Sequence, residues 1–231
     1  VYRPGAVYDK DEDVWWIVQG EKKVPGSGWI RTNEIVKFSV NAAGEPQETI
    51  YDCEILPIGH SPGLVVWGHE LLIFSSNEKD GGLVEWFSLS KLDGACRPIP
   101  TLGAAGTPQV ASQVVGLPAL SAIVQIPGKD HSDFIAFEPE IINGSVGNMV
   151  PSIVTLAGGS LPTKTYGGYA FAADDDSILH CAVTLECKTL ALSRAVNGTW
   201  VAYAEDASPA PGSPHPGVRH NALTTYLPDL R

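Results

Sequence analysis

The sequence predicts an all-β protein and, within that class, a small β-propeller of four to five antiparallel blades. The composition favours short strands joined by turns, because the chain holds 24 glycines and 18 prolines and only 18% of its residues are charged. No amphipathic stretch with the 3.6-residue period of a helix is longer than two turns. A third observation, the recurrence of similar strand pairs, selects the propeller.

The clearest strand pair lies between Gly63 and Leu89. Leu64–Ser75 and Leu83–Leu89 are both rich in valine, leucine, isoleucine, phenylalanine and tryptophan, as strands are. A polar turn that ends in Gly81 and Gly82 separates them, and glycine adopts positive φ angles at little cost. We therefore predict two strands joined by this turn.

Similar segments recur along the chain. The other predicted strands are Val14–Val18, Trp29–Val40, Leu120–Ile126, Phe134–Phe137, Tyr166–Ala173, Ser177–Leu185, Thr189–Val196 and Trp200–Ala204. The first strands of four units are expected to begin near Val14, Leu71, Ala122 and Tyr169, at steps of 57, 51 and 47 residues. Repeats of about 40–50 residues that each form a small antiparallel sheet are typical of a β-propeller.

No shift in composition marks a domain boundary, so residues 1–231 are expected to form one all-β domain. A loop is predicted at 206–217, because proline cannot donate a hydrogen bond to a sheet. The segment Trp200–Leu227 is a candidate for closing the ring against the N-terminal strand. A β-sandwich is the alternative fold, since it also uses many short strands with regular turns.

The formal net charge of −11 bears on the partners of the protein. Nucleic acid is not expected to bind, because its phosphates would be repelled and no cluster of lysine and arginine offsets the charge. No apolar run reaches the roughly 18 residues that a membrane-spanning segment needs. The expected partner is a small apolar molecule or a saccharide.

Cysteines and glycosylation sequons indicate a secreted protein. The spacings of the four cysteines fit no common zinc site, and an even number favours disulfides. Of three possible pairings, Cys53–Cys96 with Cys181–Cys187 is the most local. Asn143 and Asn197 begin Asn-x-Ser/Thr sequons and are candidates for glycosylation. Four buried free thiols with two chance sequons are the alternative.

Two segments resemble the outer strands of blades in lactonase-like propellers of the gluconolactonase/SMP-30 or phosphogluconolactonase type. They are Asn33–Pro46 (NEIVKFSVNAAGEP) and Gly82–Pro98 (GLVEWFSLSKLDGACRP). The resemblance covers about half of the chain. In the gluconolactonase type, Glu, Asn and Asp residues from different blades hold a divalent metal such as Ca²⁺ in the central channel. The resemblance implies that role for turn residues of this chain, namely Glu34, Asn77 and Asp130.

Several side chains are candidates for a site at one end of a propeller channel, where loops converge. Tryptophans that could line an apolar cup are Trp15, Trp16, Trp67 and Trp86. Tryptophans on strands also commonly form the core between blades, and this alternative stays open. Candidate catalytic residues are His69, Glu78 and His131, since imidazole titrates near neutral pH and a carboxylate can act as a base.

These features lead to two functional hypotheses of different classes. The first is a secreted enzyme with a funnel-shaped apolar pocket, either a lactone hydrolase or a cyclase that guides its substrate by shape. The alternative is a carbohydrate-binding lectin, whose aromatic platforms would be Trp29, Tyr166, Tyr169 and Trp200. A propeller that binds another protein is also compatible with the sequence.

Overall fold

The fold consists of β-strands and turns. The computed structural model describes residues 4–57, 62–77, 83–102, 113–116, 122–126, 133–159, 168–172, 177–181 and 187–206. Within these residues it contains no helix, and the prediction of an all-β protein is confirmed. The strands group into four consecutive units, each built around a four-stranded antiparallel sheet.

Unit 1 comprises β1 (Gly5–Asp9), β2 (Val14–Val18), β3 (Glu21–Val24), β4 (Gly28–Arg31), β5 (Ile35–Val40) and β6 (Pro46–Tyr51). Unit 2 comprises β7 (Gly63–Trp67), β8 (Glu70–Asn77), β9 (Leu83–Ser90) and β10 (Cys96–Ile99). Unit 3 comprises β11 (Gln113–Gly116), β12 (Ala122–Ile126), β13 (Asp133–Ile142) and β14 (Ser145–Gly158). Unit 4 comprises β15 (Gly168–Ala172), β16 (Ser177–Cys181), β17 (Cys187–Arg194) and β18 (Trp200–Asp206).

In each unit, sequential strands of the main sheet are antiparallel neighbours. Unit 1 has the order β1-β2-β5-β6, and β3 and β4 form a separate hairpin inserted between β2 and β5. Units 3 and 4 are joined, because β14 pairs with β18 in parallel and makes one eight-stranded sheet. The first strands of successive units are neighbours in space: β1 lies beside β7, β7 beside β11, and β11 beside β15.

Two predicted strands are wrong because each contains a turn. Leu64–Ser75 is divided into β7 and β8 at Gly68 and His69, where Gly68 has a φ of 52°. Trp29–Val40 is divided into β4 and β5. Two hydrogen bonds mark the break at the base of the inserted hairpin. The Thr32 N–H donates to the Gly20 carbonyl at 3.0 Å, and the Glu34 N–H donates to the side-chain hydroxyl of Thr32 at 2.9 Å.

Three of the four units begin earlier than predicted. The first strands begin at Gly5, Gly63, Gln113 and Gly168. β1 and β11 precede the strands expected from the sequence, and β7 was expected to be continuous with β8, whereas β15 begins within one residue of the prediction. The Pro-rich segment 206–217 begins at Asp206, the last residue of β18. Its remaining residues lie outside those that the structure describes.

Both faces of the unit 2 sheet are buried, because successive side chains of a strand point to opposite faces. On β8, Leu71 and Ile73 belong to the core cluster shared with unit 1, which also contains Trp16 and Val18. The alternate residues of β8 belong to the cluster shared with unit 3; its members are Val65, Leu72, Phe74, Trp86, Ile99, Ile135, Phe137, Val146 and Met149. Units 1, 2 and 3 therefore pack face to face, an arrangement that both a β-propeller and a β-sandwich contain.

A disulfide covalently links units 1 and 2. It joins Cys53, which follows β6, to Cys96, the first residue of β10, and this half of the predicted pairing is confirmed. The second predicted pair, Cys181 and Cys187, occupies directly opposite positions on β16 and β17. Their side chains lie outside those that the structure describes.

Candidate functional site

Two groups of paired charged side chains lie at one end of units 1 and 2. The turns between β1 and β2 and between β7 and β8 meet there, and the turn that begins at Lys91 holds them together. The Lys91 N–H donates to the His69 carbonyl at 2.8 Å, and Lys91 Nζ donates to Asp9 Oδ2 at 2.7 Å. We call this region the turn end.

The interface of units 1 and 2 carries a buried ion-pair cluster at the turn end. The side chains of Lys91 and Asp9 are only 3% and 1% exposed. Lys91 Nζ also lies 3.0 Å from Glu12 Oε1, and Lys37 forms an ion pair with the other oxygen of Glu12. Asp9 accepts one further hydrogen bond, at 3.1 Å from the Asp11 N–H. Lys91 thus bridges two carboxylates across the interface, and Lys37 supplies the second positive charge.

The surroundings keep all three groups charged. Burial raises the pKa of Asp9, but the hydrogen bond and charge of Lys91 outweigh this effect and lower the pKa below its ordinary value. The hydrogen bond from Lys37 and then that from Lys91 lower the pKa of Glu12. Burial lowers the pKa of Lys91, whereas its two carboxylate partners raise it, and the net pKa is raised. Lys91 therefore stays protonated and acts as an ionic link, with no free amine for nucleophilic or base chemistry.

A second ion pair lies on the opposite face of unit 2, at the interface with unit 3. Arg97 Nη2 donates to Glu70 Oε1 at 2.6 Å, and the buried Val146 N–H donates to Glu70 Oε2 at 3.2 Å. Trp67 is the cross-strand neighbour of Glu70 and packs half-buried against the core of this interface. Arg97 remains 40% exposed. An indole, a carboxylate and a guanidinium thus lie together at the turn end, and we call them the Trp67 site.

Of the predicted catalytic and metal-binding residues, the structure describes the side chains of His69 and Glu34. His69 is exposed in the turn between β7 and β8. Glu34 forms an ion pair with Lys22, so the lysine already neutralises its carboxylate. Asn77 ends β8, and its side chain lies outside those that the structure describes, as do Glu78, Asp130 and His131 altogether.

The metal site implied by the lactonase resemblance finds no support among the described residues. They contain no group of three or more histidine, cysteine, aspartate or glutamate side chains that could hold an ion. The carboxylates of Asp9, Glu12 and Glu34 are all paired with lysine. The metal site stays a prediction, because the side chains of Asn77 and Asp130 lie outside those that the structure describes, and we derive no chemical step through a metal.

The four tryptophans predicted to form a cup are distributed over different surfaces. Trp16 and Trp86 are fully buried in the two core clusters, so the structure places them between sheets and not on a pocket wall. Trp15 is half-buried on the opposite face of unit 1 from Trp16, with its ring centroid 5.3 Å from that of Tyr8. Lys37 Nζ lies 5.5 Å from the centroid of the buried Trp16 ring, whereas the half-buried Trp67 is the cross-strand neighbour of Glu70.

Both predicted glycosylation sites are exposed in hairpin turns. Asn143 and Gly144 connect β13 and β14 with φ angles of 53° and 82°. Asn197 lies between β17 and β18, where its side-chain oxygen accepts hydrogen bonds from the Thr199 N–H at 3.1 Å and the Thr199 hydroxyl at 2.7 Å. Glycosylation at these accessible positions stays a prediction.

Five residues of the turn end were not predicted from the sequence: Asp9, Glu12, Glu70, Lys91 and Arg97. Each lies at a strand end or in an adjacent turn, which is the usual position of a solvated charge. The one available signal was the clustering of charged residues at successive turns. Only pairing across 82 residues distinguishes the buried Asp9–Lys91 pair from such a solvated charge.

The fold and the turn end define an all-β protein of stacked four-stranded units with ion pairs between them. No protein-family model and no curated protein sequence matches the chain. Among solved structures, one described as "Structure of YjhT" superposes with a TM-score of 0.56 at 10% sequence identity. The superposition covers 92% of this chain and 66% of that chain, so the protein spans slightly less than two thirds of the length of YjhT. At this identity, the likeness shows a shared fold alone.

Two further findings bear on localisation. The Cys53–Cys96 disulfide is compatible with the predicted secretion, because disulfides persist in oxidising compartments. Among the described residues, no helix has the length and apolar character needed to cross a bilayer.

Proposed function

We propose that the four units radiate from a common axis as propeller blades and that the protein, in a secretory compartment, binds a small molecule at the Trp67 site. The radial arrangement is supported by the first strands, because β1, β7, β11 and β15 are successive neighbours. In a propeller, the first strands of the blades surround the axis, and the turns that follow them converge at one end. The turn end contains two of these turns.

The observation that carries the function is a half-buried indole whose cross-strand neighbour, Glu70, holds a guanidinium with N–H donors to spare. Trp67 offers apolar ring surface, and the Glu70 ion pair leaves most of the five N–H donors of Arg97 available to a ligand. Rings of sugars and other small, partly apolar molecules stack on indoles, while their hydroxyl or carbonyl oxygens accept hydrogen bonds from such donors. A saccharide combines both features and is the ligand class that we favour.

Replacing Trp67 by alanine is expected to weaken ligand binding at least tenfold, because the stacking surface is lost. A glycan array would identify the ligand, and calorimetric titration would compare the wild type, Trp67→Ala and Arg97→Gln. Trp29→Ala is the matched control, since Trp29 is an exposed tryptophan on the separate β3–β4 hairpin. Unchanged binding in Trp67→Ala, or a loss of binding in Trp29→Ala, would place the site elsewhere.

The second candidate function is catalysis: the protein would convert the bound molecule, acting as a lactone hydrolase or a cyclase. It is favoured by the position of His69, whose imidazole is exposed between Trp67 and Glu70 in the same turn. A general base at this position would act on a ligand that Trp67 holds.

If the protein has this activity, His69→Ala is expected to lower kcat about a hundredfold with little change in binding. A positioned general base typically raises a reaction rate by a factor of roughly 10²–10⁴. Turnover of a panel of lactones and binding by titration would be measured on the same samples. His69→Gln serves as a control that keeps a polar side chain of similar size. Equal kcat in the wild type and both variants would exclude His69 as the base.

A further inference from the structure

Two turns of this chain contain an asparagine followed by a glycine, and the structure holds them differently. Asn143 and Gly144 connect β13 to β14, and Asn197 and Gly198 lie between β17 and β18. All four residues are exposed. Because glycine has no side chain to shield its backbone nitrogen, an asparagine that precedes it is open to attack by that nitrogen. The freedom of the two reacting groups then decides whether the attack occurs.

The reaction needs only the two residues, a base and water. The base removes the proton of the glycine N–H, and the nitrogen attacks Cγ of the asparagine. A nitrogen–carbon bond forms, the bond from Cγ to the side-chain amide nitrogen breaks, and ammonia leaves with a proton taken from water. Water then opens the resulting cyclic imide at either of its two carbonyls. The product is aspartate or isoaspartate, and the turn gains one negative charge.

The turn between β13 and β14 leaves both reacting groups free. The φ angles of Asn143 and Gly144, 53° and 82°, are those of a type I′ turn, in which the flanking residues Ile142 and Ser145 pair with each other. No described residue accepts a hydrogen bond from the Gly144 N–H or bonds to the side chain of Asn143. A β-carbon built on Gly144 would meet no described atom within 4 Å, so the space around the turn is open.

The turn between β17 and β18 holds the same two groups in place. The Gly198 N–H donates to the Ala195 carbonyl at 2.8 Å. The side-chain oxygen of Asn197 accepts hydrogen bonds from the Thr199 N–H at 3.1 Å and from its hydroxyl at 2.7 Å. A hydrogen-bonded N–H loses its proton only after local opening, which is why such groups resist hydrogen exchange. The same opening must precede an attack by the Gly198 nitrogen.

We propose that Asn143 is a site of spontaneous deamidation, at which aspartate and isoaspartate accumulate as the protein ages, whereas Asn197 is protected by its turn. The inference is independent of ligand binding at the Trp67 site, because the reaction needs no ligand. N-glycosylation, the other modification expected at Asn143, occupies the nitrogen that must leave. The two modifications therefore compete for one side chain.

Peptide mapping by mass spectrometry tests the proposal on the full chain, produced without N-glycans and incubated in its folded state at about pH 8. Trypsin places the two asparagines in separate peptides, 130–164 and 195–219, and fragmentation distinguishes Asn143 from Asn148 in the first. Deamidation of Asn143 is expected to be at least about tenfold faster than that of Asn197, because only the Gly198 N–H is held by a hydrogen bond. Equal rates, or a faster reaction at Asn197, overturn the proposal.

The chain unfolded in urea is the matched control, since it keeps both Asn-Gly pairs and loses both turns. Unfolding is expected to raise the rate at Asn197 at least about tenfold and to change the rate at Asn143 by less than about threefold, because protection is lost only where a hydrogen bond was present. Hydrogen exchange of the folded chain should show the same order, with Gly144 exchanging faster than Gly198. An Asn143 rate that rises on unfolding as much as that of Asn197 would show that its turn protects it too, and the proposal would fail.

Discussion

Replacing Trp86 by alanine is expected to lower the free energy of unfolding by about 3–5 kcal/mol, the range measured for large aromatic residues in protein cores. Trp86 is fully buried at the interface of units 2 and 3. Its ring centroid lies 4.6 Å from that of Phe74 and 5.5 Å from that of Phe137. The substitution would leave a cavity between two sheets, and the antiparallel backbone of β9 limits how far the neighbours can collapse into it.

Urea unfolding followed by circular dichroism would measure this change, and two further variants define its cause. Trp29→Ala removes an exposed tryptophan and should change the free energy by less than about 1 kcal/mol. Trp86→Phe keeps most of the apolar surface and removes an indole N–H that is buried without a hydrogen-bond partner. It should therefore cost clearly less than Trp86→Ala. Equal losses in Trp86→Ala and Trp29→Ala would contradict the central position of Trp86.

The strands that could be predicted from the sequence are those that lie in the core on one or both faces. The segments that became β2, β8 and β9 are apolar, and burial of β8 and β9 on both faces explains why they read as continuous apolar runs. β1 was missed because it ends in Asp9 and continues into an acidic turn. Only the long-range pairing with Lys91 permits that carboxylate to be buried at the end of a strand.

The candidate site could be predicted only in part, because its geometry also depends on pairing between distant parts of the chain. Trp15 and Trp16 are adjacent, and the two-residue period of a strand requires them to face opposite sides of the sheet. The sequence does not show which of the two faces unit 2, so it could not separate the core residue Trp16 from Trp15 on the opposite face of the sheet. Trp67 was identified, but the ion pair of Glu70 and Arg97 depends on a register between β8, β9 and β10 that composition does not reveal.

Replacing Lys91 by methionine is expected to lower the free energy of unfolding at pH 7 by about 3–5 kcal/mol, as is typical when one partner of a buried ion pair is removed. The variant leaves Asp9 charged and 1% exposed, with the Asp11 N–H as its remaining hydrogen-bond donor from the backbone. Glu12 is less affected, because Lys37 still pairs with it. Lys91→Met/Asp9→Asn removes the unpaired charge and is expected to recover a large part of the loss.

The pH dependence of unfolding distinguishes this electrostatic effect from a simple loss of packing. In the wild type, the lowered pKa of Asp9 contributes stability that is present above about pH 4 and is lost as the pH falls through the folded-state value. The raised pKa of Lys91 contributes stability that is lost only above about pH 10.

Without Lys91, burial is the main remaining influence on Asp9 and raises its pKa, so protonation should stabilise the variant as the pH falls from 7 to 5. The difference between the wild type and Lys91→Met should therefore shrink on acidification, and urea titrations at several pH values would measure it. In Lys91→Met/Asp9→Asn, which lacks both groups, the difference from the wild type should stay nearly constant over this range. A constant difference in Lys91→Met as well would show that Lys91 stabilises the interface through packing and not through its charge.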